Sequence, residues 1–379
     1  MNYTAEDSAQ DDCPPEPRQN PDLLGQEMAE RILAKGFSSE RLPHAWMFTG
    51  PKGIGKATLA FRFARYVLAH RPIKDTGTLP LEVSDTQNIS GTEADTLYLA
   101  PSNPIFQRVA ASGHSDLMTI EAELKNAKNS RGVIGVDNVR KISHFFRLTA
   151  GEGGWQVVII DSADDMNVNA ANALLKVLEE PPANALLLLV CHNPGKLLPT
   201  IRSRCQKLRL NQLDEATISK LLARYMPHLH QDTRDGLAAL SDGAIGRAIE
   251  LALASGLEIQ KQIMNFLMQV PTIDFAALRD FSTQMGQANA GAQFEAMANL
   301  LRRVLWRLIP YASGNPRDDL NTEETEVFKH LIEYAKLDRW LKVWEETNDL
   351  LDNANRFNLD RKYLILHIFF NISKAVRGN

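Results

Sequence analysis

Gly50-Pro51-Lys52-Gly53-Ile54-Gly55-Lys56-Ala57-Thr58 is the stretch that decides the fold. A short apolar run, Ala45-Trp46-Met47-Phe48-Thr49, precedes it, and a helical pattern from Leu59 to Leu68 follows. Strand, glycine-rich loop and helix in that order are the context of a phosphate-binding loop. Glycines let the backbone curl so that its N–H groups converge on one anion. The helix N-terminus adds partial positive charge, and Lys56 supplies the full charge that reaches the β- and γ-phosphates of a nucleotide. One position departs. The motif has Ser or Thr directly after the lysine to coordinate Mg²⁺, and here that residue is Ala57. Thr58 comes one residue late, a rotation of roughly 100° on a helix. Gly50, Gly53, Gly55, Lys56, Ala57 and Thr58 are the candidate nucleotide-binding residues, without the metal-ligating hydroxyl.

Downstream, Trp155-Gln156-Val157-Val158-Ile159-Ile160-Asp161 reads as a central parallel strand covered on both faces. A carboxylate at the C-terminal end of such a strand sits where open α/β sheets bind ligands. Asp161 is therefore a candidate Mg²⁺ ligand beside the loop; a helix-capping aspartate is the plain alternative. Leu117-Met118-Thr119-Ile120, Leu186 to Val190 and Gln206 to Leu210 read as further strands. His192 or Asn193, just past one of them, could point at a γ-phosphate. Helices are expected over Met28 to Lys35, Val136 to Leu148 and Asn167 to Glu180, the last stopped by Pro181-Pro182. Alternating strands and helices give an α/β domain with a parallel sheet.

Around this domain the composition changes. Residues 1–20 carry Glu6, Asp7, Asp11, Asp12 and Glu16 with three prolines, which predicts a disordered acidic tail. The α/β domain is expected over 21–210, interrupted by a loop-rich insertion at 71–115 where no period is sustained. From Asn211 the pattern is helical. Asp214 to Tyr225, Gln231 to Leu240 and the turn Gly243-Ala244-Ile245-Gly246 with its following helix suggest a small helical lid, 211–255, with a seam at Ser255-Gly256. Residues 256–379 form a second all-helical region. Leu337, Trp340, Leu341, Trp344 and Leu351 share a broad apolar face there, and Tyr363 to Phe370 is strongly apolar. A helical domain without catalytic candidates suggests oligomerisation or partner binding.

At 379 residues the chain can hold two or three cored domains. Its net charge of −4 gives no global basic signal for nucleic acid. Cys13, Cys191 and Cys205 form no disulfide framework and no zinc spacing, which points to a reducing compartment. No run approaches the roughly 18 apolar residues of a membrane span and no secretory leader is evident, so a cytoplasmic location without membrane contact is expected.

These motifs together name a family. The chain resembles the AAA+ subunits of bacterial DNA polymerase III clamp loaders, and within them the delta prime pattern, from about Leu24 to Glu250 and more weakly through the helical C-terminus. The carriers are Gly25-Gln26, the Gly50–Thr58 loop, the strand ending in Asp161, and the run Asn169-Ala170-Ala171-Asn172-Ala173-Leu174-Leu175-Lys176-Val177-Leu178-Glu179-Glu180-Pro181-Pro182. The triplet Ser203-Arg204-Cys205 completes the set, and Asn358-Leu359-Asp360 resembles the start of the final collar helix.

The resemblance implies an α/β P-loop AAA+ domain, a small helical lid and an all-α collar. It implies that Arg204 acts in trans as a finger in a neighbouring subunit's ATP site, where an always-charged planar fork stabilises charge on the γ-phosphate. The implied partners are motor and delta subunits in a hetero-pentamer, the sliding clamp and primer-template DNA. The departures imply the rest. Active subunits carry Glu after the second-motif Asp, and here that residue is Ser162; the sensor-arginine position falls on Gly246, with Arg247 one residue off. With Ala57, three catalytic parts are missing while Arg204 is kept, the pattern of a subunit that does not hydrolyse ATP itself. Lys56 leaves ATP or ADP binding without turnover open, Mg²⁺ lacks one expected ligand, and the zinc cysteines of several relatives are absent, so no zinc is expected. The alternative is a free-standing AAA+ ATPase of DNA replication or repair, which Lys56 and Asp161 would favour.

Overall fold

The computed structural model describes residues 14–39, 42–70, 96–122, 132–317, 319–357 and 359–377. The expectations for 1–13, for 71–95, and for Asn358 at the last helix start lie outside the described residues. The chain divides into two compact units: residues 14–122, 132–230 and 242–246 form the first, and 231–241 with 247–377 the second.

In the first unit five strands, β1 (Ala45–Thr49), β2 (Leu117–Ile120), β3 (Gln156–Ile160), β4 (Ala185–Cys191) and β5 (Gln206–Arg209), form one sheet in the order β2-β3-β4-β1-β5. All pairs are parallel, with Phe48 opposite Val190 and Leu208, and Ile160 opposite Leu189. The helices of this unit are α1 (Glu27–Ser38), α2 (Lys56–Ala69), α3 (Pro104–Ala110), α4 (Val136–Phe145), α5 (Val168–Glu179), α6 (Pro199–Arg202) and α7 (Glu215–Tyr225).

The near-continuous apolar strands bury side chains on both faces, because successive residues point to opposite sides. Trp46, Phe48, Val157, Ile159, Leu188 and Leu208 enter a core with α1 and α2. Met47, Val158, Ile160, Leu187 and Leu189 enter another with α4, α5 and α6. Helix starts follow capping chemistry: Asn167 accepts from the Ala170 amide at 2.8 Å, and Asp214 from the Thr217 amide at 2.7 Å.

Two expectations about this unit need correction. The tail expected through residue 20 ends sooner: Arg65, 1% exposed, donates to the carbonyls of Arg18 (2.9 Å) and Asn20 (2.8 Å), so this stretch is strapped onto α2. The expected insertion reaches only partly to 115. Asn103 caps α3 through the Ile105 amide, with Pro104 in the first turn, and Leu97 and Val109 belong to the core.

The described residues of the second unit are helical: α8 (Gln231–Leu240), α9 (Ile245–Leu253, whose first two residues belong to the first unit), α10 (Gly256–Met268), α11 (Phe275–Met285), α12 (Gly291–Ala312), α13 (Thr322–Tyr334), α14 (Leu337–Phe357) and α15 (Arg361–Arg377). The expected lid at 211–255 is therefore divided, and Ser255-Gly256 is not a boundary between units. α7 is held to the first unit by Tyr225, whose hydroxyl accepts from Asn20, and by the Arg224–Asp22 ion pair at 2.8 Å. α8 is held within the second by Arg303, which donates to the Ala239 carbonyl at 3.2 Å. On α14 the buried line is Trp340, Val343, Thr347, Leu351 and Ala354, with Leu337, Leu341 and Trp344 half-buried. In α15, Ile365, Ile368 and Phe369 are buried while Tyr363 and Phe370 are exposed.

Candidate functional site

The loop between β1 and α2 has the backbone that its glycines predicted. Gly50, Gly53 and Gly55 have φ of +145°, +83° and +96°, conformations that side chains disfavour. A Cβ on Gly50 would lie 2.7 Å from Ile54 Cδ1 and 2.9 Å from the Leu210 carbonyl oxygen. Lys56 opens α2 and is 2% exposed; its Nζ donates to the carbonyls of Gly50 (2.7 Å) and Pro51. Burial pulls its pKa down to about 8, against the opposing charges of Asp161 and Asp164. Ala57 packs against the core and Thr58 is buried in α2.

Asp161 stands directly after β3, its amide bonded to the Ile120 carbonyl at 2.9 Å. Burial and the nearby charge of Glu121 push its carboxyl above the usual range, with Lys56 acting the other way. The loop, Lys56 and Asp161 are thus brought into one electrostatic site. Its cradle fits a phosphate: glycine backbone at positive φ, a fourteen-residue helix opening at Lys56, and a cation already tethered to the loop. It fits Mg²⁺ less well, because the motif hydroxyl is a methyl group and Asp161 alone of the two expected ligands remains.

Ser162 follows Asp161 in the left-handed region, at φ +60°. Its Oγ shares a hydrogen bond with His192 Nε2 at 3.2 Å. Burial and the Lys56 charge push His192 down to about 4, so its imidazole is neutral near pH 7. Asp164 accepts from the amides of His192 (2.9 Å) and Asn193 (3.1 Å). Against burial, which acts in the opposite sense, those bonds hold its pKa low. Asn193 caps the following turn through the Gly195 amide at 3.1 Å, so its oxygen is used locally. Ser162 with His192 and the role of Asp164 were not legible beforehand, since they join the ends of two strands distant in sequence.

Gly246, at the opening of α9, lies against the loop. Its amide donates to the Gly53 carbonyl at 2.9 Å. Arg204 sits elsewhere, between α6 and β5. Its Nη1 donates to the Thr200 carbonyl at 3.1 Å, and Nη2 lies 2.9 Å from Glu179 Oε1 at the end of α5. The arginine side chain is 37% exposed. Its neighbours are anchored: Ser203 Oγ donates to the same Thr200 carbonyl, and Cys205 is buried in the core with Ile201.

The family described as "DNA polymerase III, delta subunit" matches residues 25–214, half of the chain. The chain belongs to this clamp-loader family. It is 36% identical over 201 residues to DNA polymerase III subunit delta' of Pseudomonas aeruginosa, a match covering 53% of each chain, which supports its delta prime character. It is 26% identical over 240 residues to DNA polymerase III subunit tau of Bacillus subtilis, 62% of this chain and 37% of that one. The matches thus span about half the length of the delta' relative and less of tau. Among solved structures, a DNA polymerase III gamma subunit-related protein of Thermotoga maritima aligns at 17% identity, over 93% of this chain and 99% of its own, with a TM-score of 0.38. The RuvB branch migration motor of the same organism aligns at 15%, over 83% and 90%, with a TM-score of 0.39. Those superpositions are too loose to bear on function. The all-parallel sheet and the glycine-rich loop before α2 make the first unit an α/β domain with a phosphate-loop arrangement, and the described residues of the second unit are helical. Among the described residues no helix is long and apolar enough to cross a membrane.

Proposed function

We propose that this chain is a non-hydrolysing delta prime subunit of a DNA polymerase III clamp loader, which donates Arg204 to a neighbouring ATP site and helps place the sliding clamp on primed DNA. The observation that carries this reading is the hydrogen bond between Ser162 and His192, at the position from which active subunits orient the attacking water. Ser162 has no carboxylate, His192 is neutral, and Asp164 is occupied by two backbone amides. Ala57 removes the metal hydroxyl and Gly246 the sensor cation. The loop with Lys56 holds the phosphates of ATP or ADP without turnover. The guanidinium of Arg204, exposed beside a rigid core, supplies positive charge to a partner's γ-phosphate. The second unit supplies the helical surface for a hetero-pentamer with motor and delta subunits.

ATP between two subunits can favour a loading conformation only as far as it binds that state better, and an arginine reaching across the interface supplies such a difference. The first test is Mg-ATP binding and steady-state turnover by the purified chain alone. Absence of turnover, followed by loss of clamp- and DNA-stimulated hydrolysis in the reconstituted complex on Arg204→Ala, is the expected result. Robust turnover by the chain alone, lost on Lys56→Ala, would overturn this reading in favour of a free-standing ATPase.

A further inference from the structure

Arg204 is an exposed, flexible side chain, and a cation acting across an interface must be held in one direction to be useful. An unrestrained arginine loses rotamer freedom each time it engages. Here the restraint comes from two directions. The Thr200 carbonyl takes Nη1 and the Glu179 carboxylate takes Nη2, at 3.1 and 2.9 Å.

The placement of Glu179 is itself informative. It is the final residue of α5, where the helix macrodipole disfavours a negative charge. Lys176 is the basic residue of that last turn, and the chain leaves through Glu180, Pro181 and Pro182. Helix electrostatics therefore give no reason for this glutamate, whereas the guanidinium does. The backbones carrying both groups are fixed by one core: Val177 and Leu178 of α5 belong to the same buried cluster as Ile201 and Cys205, which flank Arg204 in sequence. The carboxylate reaches one edge of the guanidinium, and the side chain as a whole keeps more than a third of its surface open.

We infer that Glu179 is a positioning residue that presets the orientation of Arg204 before the neighbouring ATP site closes on it. This follows only if Arg204 acts in trans as proposed above. An exposed ion pair is worth little, so the preset amounts to roughly a two- to fivefold change in rate. It acts on turnover, because the substrate nucleotide is bound mainly by the neighbour.

The test uses the complex reconstituted from this chain with its motor and delta subunits, MgATP, sliding clamp and primed DNA. Steady-state turnover is measured for wild type, Glu179→Ala, Glu179→Gln, Arg204→Ala and the Glu179→Ala/Arg204→Ala double variant. The expected result is a large loss for Arg204→Ala, with Glu179→Ala lowering kcat by about two- to fivefold at unchanged KM. Glu179→Gln, which keeps an acceptor oxygen, falls between, and Glu179→Ala has no further effect once Arg204 is gone. If Arg204→Ala lowers turnover but Glu179→Ala leaves it unchanged or raises it, the positioning role is overturned and the arginine-donor reading stands. Equal effects of Glu179→Ala with and without Arg204 likewise overturn it. If Arg204→Ala changes nothing, the arginine-donor reading fails and the role of Glu179 with it. Should Glu179→Ala unfold, as read by its melting temperature, the near-isosteric Glu179→Gln carries the same comparison.

Discussion

The amide of Gly246 donates to the carbonyl of Gly53 at 2.9 Å, and a Cβ built on Gly246 would lie 2.9 Å from the Gly53 Cα. The position where active relatives are expected to carry a sensor arginine is therefore filled by backbone approach. The neighbouring atom is main chain of the phosphate loop, which cannot swing aside as a flexible side chain would. Gly246→Ala gains about 1 kcal/mol of helix propensity, but overpacking costs typically about 1–3 kcal/mol. A net loss of roughly 1 kcal/mol is expected, read as a lowered urea midpoint. Gly246→Arg is expected to destabilise further and to give no ATP turnover. An unchanged midpoint for the arginine variant would mean that the opening of α9 is not held against the loop.

Lys56 gives a pH dependence with a definite sign. Its pKa is about 8 in the folded chain against an ordinary 10.5, because burial disfavours its charged form. Between those values the unfolded chain binds more protons, so the Lys56 contribution to stability rises with pH from about 8 to 10.5 and is lost as pH falls through 8. Cys191 and Cys205, pushed up to about 12 by burial, act in the opposite sense above pH 9. Wild type must therefore be compared with Lys56→Met. The difference between their unfolding free energies should shift by on the order of 2 kcal/mol in favour of wild type between pH 7.5 and 10. A difference independent of pH would show that the lysine is solvated in the folded protein.

The site was legible in unequal parts. The loop, Lys56 and Asp161 follow from local order, apolar strand, glycines, helix, and the structure brings them together as that order requires. The same holds for β3 and β4, whose runs are too apolar to be anything but covered strands. The missed features are long-range or cryptic. α3 begins at Asn103-Pro104, a usable helix-start signal, but it lies in a stretch whose Pro and Ser content reads as loop. Arg62 and Arg65 are the two charged residues within the run Leu59 to Leu68, yet both are buried, the first against Glu30 and the second under residues 18–20. No local pattern distinguishes an arginine that solvates itself from one that straps down a distant segment. The division of 211–255 was hidden for a similar reason: α7 and α8 are alike as helices, and only their partners, Asn20 and Arg303, separate them.

In the helical unit, two arginines converge on one glutamate. Arg303 Nη1 lies 2.7 Å from Glu324 Oε1 and Arg307 Nη2 lies 3.1 Å from Oε2, all three residues being buried. Arg307 also reaches the half-exposed Asp319, at 3.0 Å. Removing Glu324 takes from both guanidinium groups the buried carboxylate they share, and breaking a buried pair in this way costs about 3–5 kcal/mol. Asp319→Ala removes a solvent-screened partner and should cost about 1 kcal/mol or less. Chemical denaturation of Glu324→Ala and Asp319→Ala measures the contrast. Equal costs would mean that solvent reaches Glu324.

Cys205 follows Arg204 and is buried beside Ile201, and Cys191 ends β4 in the same core. Burial pushes both thiols up to about 12, so almost no thiolate is present at pH 8 and little of either sulfur is open to attack. In a Cys13→Ser variant, which removes the cysteine outside the described residues, native protein at pH 8 should react with an aromatic disulfide reagent only as fast as it unfolds. Two thiols per chain should then react promptly in denaturant. Cys205→Ser tests the anchoring role directly: it keeps the size of the side chain but buries a hydroxyl where a thiol sat in apolar surroundings, at a cost of about 1–3 kcal/mol if that hydroxyl finds no partner. If native labelling at Cys205 is fast, the segment carrying Arg204 opens without global unfolding, and the fixed backbone on which its preset orientation depends is absent.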